Sequence, residues 1–103
     1  MKKIIDGKRY DTDTAELICL LSCDAYAGAW DWHCTTLYRT KNGAYFLEGF
    51  GEGGSMWGRK LYDCNEYVSG EGLRVLTSEE ALHILEENDE TDVIEKYFKV
   101  EDA

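Results

Sequence analysis

The sequence predicts an α+β fold: an antiparallel sheet of hairpins, with two C-terminal helices packed on one side or end. Three observations predict it. Asp6-Gly7 and Asn42-Gly43 are two-residue turn signals, the second set between stretches rich in Thr, Tyr, Leu and Phe. "TSEE", Thr77 to Glu80, has the spacing of a capping box. Behind it, apolar residues recur at helical intervals.

The elements follow in order. "KKIIDGKRYD" reads as a short hairpin, because a type I′ turn needs positive φ at both central residues and Asp-Gly supplies it. Asp13 with Glu16 fits a second capping box, so a helical turn is expected there. Leu17 to Cys23, "LICLLSC", is a continuous apolar run of strand length and predicts a buried strand. "DAYAGAWD" predicts a loop with exposed aromatics. "WHCTTLYRT", "KNG" and "AYFLEGF" form the best-defined hairpin. "GEGGS" ends its second strand. "MWGRKLYDC" predicts a short helix weakened by Gly58, and "LRVL" a short strand.

The last third predicts helices. Ala81, Leu82, Ile84 and Leu85 make one apolar stripe after the Thr77 cap. A second helix is expected from about Asp89 to Phe98, with Val93, Ile94, Tyr97 and Phe98 facing the core.

A chain of 103 residues predicts one domain, 1–103. Its 44 % apolar content is enough for a single core. The net charge is −10 and lies unevenly. Residues 1–76 hold 11 acids and 9 bases, whereas residues 77–103 hold 10 acids and 2 bases, so net charges of −2 and −8 sum to −10. Such a surface repels nucleic acid and anionic lipid, and favours basic partners. No apolar run approaches the ~18 residues of a membrane span. "MKKIIDGKRY" lacks the apolar core of a signal peptide, so a cytoplasmic protein is expected.

Catalytic and metal signals are weak. Cys19 and Cys23 have a permitted zinc spacing, but they fall in an apolar run that reads as a strand, and Cys34 and Cys64 are isolated. Reduced core cysteines are expected, with no metal or cofactor. His33 and Cys34 are strand neighbours that point to opposite faces, so they cannot act as base and nucleophile. "GFGEGG" lacks the lysine of a P-loop and carries Glu52 where phosphate would sit, so a tight turn is expected instead. A non-enzymatic protein follows. Of the aromatics Tyr26, Trp30, Trp32, Tyr38, Tyr45, Trp57, Tyr62 and Tyr67, most should fill the core. One or two, Trp30 and Trp32 foremost, would be exposed as anchors for a protein partner.

The acids carry the functional expectation. Glu79 and Glu80 suit the first turn of one helix, and Asp89, Glu90 and Asp92 the start of the next. Glu86 and Glu87 do not suit the C-terminal end of a helix, where an anion is disfavoured by about 0.3–1 kcal/mol. His83 sits four residues from both Glu79 and Glu87. Glu79, Glu86, Glu87 and Glu90 would form a row of anions at roughly phosphate spacing, about 5–6 Å between Cβ atoms. Such a row could occupy a Lys/Arg cleft that otherwise tracks DNA.

The stretches "KIIDGKRYDTDTAELI", "TLYRTKNGAYFLEGFGEGG" and "VLTSEEALHILEEN" resemble a family of small phage and mobile-element proteins of Gram-positive bacteria. The shared pattern is K-I-I-x-G-K-R-Y-D-T, L-Y-R-T-K-x-G-x-Y/W-F-L, G-E-G-G and L-T-x-E-E-A-L, over roughly residues 3 to 87. The resemblance implies a shared α+β fold and brings no catalytic residues. Genes of this size and carriage often encode inhibitors of host defence, including anti-CRISPR proteins. By that analogy the partner is the basic nucleic-acid cleft of a defence complex, a CRISPR effector foremost, with no direct contact to nucleic acid or membrane. The "DAYAGAWDWHC" loop and the acidic helix after Glu87 depart from the family pattern. The alternative expectation is a regulatory module that docks through exposed aromatics, its acids only keeping it soluble.

Overall fold

The computed structural model describes residues 1–61 and 66–103. Among these residues eight strands and two helices follow one another: β1 Lys2–Ile5, β2 Lys8–Asp11, β3 Glu16–Leu20, β4 His33–Arg39, β5 Tyr45–Gly51, β6 Arg59–Lys60, β7 Tyr67–Val68, β8 Gly70–Leu76, α1 Ser78–Glu87 and α2 Thr91–Tyr97. The central sheet is antiparallel, in the order β3-β4-β5-β8, and β1-β2 and β6-β7 are separate hairpins. The α+β expectation is borne out.

The first hairpin forms as its turn chemistry dictates. Asp6 and Gly7 both take positive φ, 51° and 75°. The β4-β5 hairpin uses the expected residues in a different turn. Only Gly43 has positive φ, 88°. Its N–H donates to Thr40 O at 2.9 Å, and Thr40 N–H donates to Ala44 O at 2.8 Å. This is a longer loop with Gly in the left-handed position, not a two-residue type I′ turn. The Thr40 hydroxyl accepts from Ala44 N–H at 3.0 Å and helps to fix it.

Cross-strand partners share a face, which defines two layers. On one face Cys19, Leu37, Tyr45, Leu47 and Leu76 meet Ala81 and Leu85 of α1, with Trp57 closing one end. Ile94 and Phe98 pack on the same cluster, and the Tyr45 and Phe98 rings stack with centroids 5.5 Å apart. Burial of each large side chain here stabilises by about 1.5–3 kcal/mol. On the other face, Phe46 lies between Tyr38 and Tyr10, at 5.2 and 5.6 Å. Tyr10 brings the β1-β2 hairpin over that part of the sheet. Beyond it Leu17, Leu20 and Phe50 remain exposed.

Four further expectations need correction. The Leu17–Cys23 run is not a buried strand: β3 ends at Leu20, and Leu17 and Leu20 are exposed. It is an edge strand with a bulge between Leu17 and Cys19, and only Cys19 turns fully into the core. Asp13 does not cap a helix. Asp11 instead caps a single turn, accepting Asp13 N–H on its carboxylate (3.0 Å) and Ala15 N–H on its carbonyl (3.0 Å), and Glu16 begins β3. "MWGRKLYDC" is not helical at Arg59–Lys60, which pair with Tyr67–Val68 as a hairpin. Its residues Tyr62 to Cys64 lie outside the described residues. The "LRVL" strand is longer than expected, because β8 starts at Gly70 and pairs along all of β5.

Gly49, Gly53 and Gly54 of "GFGEGGS" lie against indole rings. A Cβ on Gly49 would lie 2.6 Å from Trp57 Nε1, and one on Gly54 would overlap the Trp30 ring. The loop is a tight turn leaving β5, as expected, and its small residues make room for Trp57 just after it and for Trp30, which is distant in sequence.

Candidate protein-binding surface

Helix α1 starts on the expected cap. Glu80 N–H donates to the Thr77 hydroxyl at 3.1 Å, and Thr77 N–H donates to the Glu80 carboxylate at 2.9 Å. These bonds from Thr77 hold the Glu80 carboxyl below its ordinary value of 4.5. Glu79 is exposed in the same first turn. Both charges face the positive end of the helix dipole.

The other end is closed by geometry rather than by charge. Asp89 takes the left-handed conformation, φ 54°. Glu90 N–H donates to Leu85 O at 3.0 Å and Asp89 N–H to Glu86 O at 3.2 Å, the paired bonds of a Schellman motif. Asn88 ties this end to the sheet. Its side-chain N–H donates to Ile84 O, and its carbonyl oxygen accepts from the Ser22 N–H and hydroxyl, each at 2.8 Å. No base lies in the last turn of α1. Helix α2 then begins at once, with Glu90 as an N-cap whose side chain makes no capping bond and Asp92 exposed in the first turn.

The expected row of anions is divided in two. Consecutive helical residues do not share a face, and Glu86 and Glu87 accordingly turn to opposite flanks. Glu87 lines a cleft of about 510 Å³ with Glu80, His33 and Arg74, and it pairs with His83 at 2.8 Å. Glu86 lines a groove of about 390 Å³ between α1, α2 and the tail, beside Glu95 and Glu101. Glu90 lies near enough to the core cysteine that, after burial itself, its charge helps push the Cys19 thiol up to about 11. Among the described residues the close contacts between basic and acidic side chains are His83–Glu87, charged on both sides only when the imidazole is protonated, and Lys96–Glu16 at 3.7 Å. Glu79, Glu86, Asp89, Glu90 and Asp92 take part in neither.

Trp30 and Trp32 lie apart from these acids. The Trp30 indole rests on Gly53 and Gly54, and Trp32 packs on Phe50 with ring centroids 5.7 Å apart. The clefts they line contain no acid from residues 77–103. Tyr26 and Trp30 are 78 % and 62 % exposed, so the loop does present aromatics. His33 and Cys34 are strand neighbours as expected, and the His33 ring bonds to Thr35 on its own face at 2.8 Å. Thr35 is buried and also accepts from Trp57 Nε1–H at 2.7 Å. That link holds the tryptophan in the core.

Sequence reasoning missed Glu95 and Glu101 as partners of Glu86. It also overlooked the tail, whose Val100 and Glu101 line the groove. The available signal was Val100, an apolar residue within an acidic terminus. No helix among the described residues is long and apolar enough to cross a membrane. No family model, curated protein or solved structure matches the chain.

Proposed function

We propose that the protein is a non-enzymatic inhibitor that sets its acidic helical end against the basic nucleic-acid cleft of another protein and excludes nucleic acid from it. The resemblance to small phage proteins favours a CRISPR effector of the bacterial host as that partner, in the host cytoplasm. The observation that carries the reading is the α1–α2 junction. Glu86, Asp89, Glu90 and Asp92 crowd there with no base in the last turn of α1. An anion at a helix C-terminus, as Glu86 is, costs stability by about 0.3–1 kcal/mol, and the like charges of Asp89, Glu90 and Asp92 beside it add to that cost, so a role outside folding accounts for it.

The test is displacement of labelled duplex DNA from purified CRISPR effectors by the full chain, over a salt series. The reading expects displacement that weakens steeply as salt rises, because exposed charges are screened. Displacement from no effector at low salt contradicts it. The exposure of Tyr26 and Trp30 favours a second reading, docking through the aromatic loop. Binding that ignores salt and is lost in Trp30→Ala would select that one.

A further inference from the structure

We propose that the groove between α1, α2 and the C-terminal tail is a docking slot for a segment of a partner protein that alternates basic and apolar side chains. The inference rests on the acidic-surface reading and adds where, and by what chemistry, contact is made. The floor is apolar: Leu82 comes from α1, Ile94 from α2 and Val100 from the tail. The rim carries Glu86, Glu95 and Glu101, one carboxylate from each of the same three segments.

This arrangement selects its occupant. Among the described residues no three His, Cys, Asp or Glu side chains converge closely enough to hold a metal ion. The rim charges are therefore spread along the slot, and a single small cation cannot answer all of them. A chain with several Lys or Arg can, while its aliphatic stems and apolar neighbours cover the floor. Charge complementarity identifies the ligand as basic, and Lys99 at the rim is the single opposing cation lining the slot. Val100 is 56 % exposed, so apolar surface is left for a partner to cover.

The experiment uses the full isotope-labelled chain and two short amidated peptides. One alternates Lys and Arg with Leu; the other carries the same basic residues interleaved with Ser. The leucine peptide should bind about tenfold tighter, since one or two buried apolar groups supply that ratio. Amide shifts should centre on Leu82, Ile94 and Val100. Leu82→Gln and Val100→Asn should each remove most of the difference between peptides. Val100→Asn alters an exposed tail position and keeps the test decisive if Leu82→Gln unfolds. Equal binding of the two peptides, or shifts centred elsewhere on the acidic helices, overturns the slot while leaving the acidic-surface reading standing. Binding of neither peptide also overturns the slot, and the DNA-displacement assay then judges the broader reading on its own.

Discussion

At its first turn α1 pairs Thr77 with Glu80 in reciprocal hydrogen bonds and places Glu79 where the helix dipole favours an anion. At its last turn it places Glu86 and Glu87, where the dipole disfavours them, and follows them with an aspartate in a conformation better suited to glycine. One end agrees with every local rule for helix stability. The other keeps the hydrogen bonds of a good C-terminus and breaks the rules for charge. The contrast separates what holds the helix from what it presents. Backbone closure and Asn88 hold the C-terminal end, leaving its charges available for binding.

The largest stability effect should come from Asn88. Its side chain makes three hydrogen bonds, one back to Ile84 O of α1 and two to Ser22 that join the helix to the segment after β3. Asn88→Ala should lower unfolding free energy by about 2 kcal/mol, read by urea denaturation. A loss no greater than that of an exposed-surface substitution would mean the junction is held by α2 packing instead. Next is the N-terminal cap. Thr77→Ala should cost about 1 kcal/mol by the same measurement, while Thr77→Ser should be close to neutral.

Asp89 sharpens the contrast in the opposite direction. Asp89→Gly relieves the left-handed backbone and removes a charge from the helix end, and should stabilise by about 0.5–1 kcal/mol. Destabilisation would show that the aspartate side chain supports the turn in a way its backbone geometry does not reveal.

The end that obeys local rules was also the end legible in sequence. The Thr77 capping box and the Asp6-Gly7 turn depend on residues within a few positions of one another, and both formed as their spacing dictates. The misread elements depend on distant ones. The β3 run is apolar, but its exposure depends on the N-terminal hairpin covering only the Phe46 end of the outer face. Gly53 and Gly54 answer to Trp30, some twenty residues away, which no local pattern links to them. The acids were legible as a charge excess. Their division into two flanks required knowing where the tail and α2 lie against α1. The groove floor was hidden because Leu82 fits the core stripe of α1 equally well.

The smallest effect concerns pH. Glu80 has its carboxyl lowered below 4.5 by the bonds from Thr77. A depressed carboxyl contributes stability that is present above its unfolded value and is lost as pH falls through the folded one. Glu80→Gln keeps an acceptor for Thr77 N–H but cannot titrate. Its thermal midpoint should therefore fall less steeply than the parent's on acidification below pH 4.5. Parallel acid limbs would remove Glu80 from the cap's energetics.

The central claim is that the α1–α2 junction keeps its acids for binding and against stability. Its most direct measurement is the Glu86→Lys/Glu87→Lys double variant, assayed in parallel for unfolding free energy and for DNA displacement from the partner. Cations at the helix C-terminus should raise stability by about 0.5–1 kcal/mol, with part of the gain offset by losing the exposed His83–Glu87 pair. Displacement should be abolished, because like charge set against a basic cleft costs several kcal/mol. Gained stability with lost displacement is the result the account predicts. A double variant that displaces DNA as well as the parent would contradict it, and the acidic junction would then be a solvated turn between two helices.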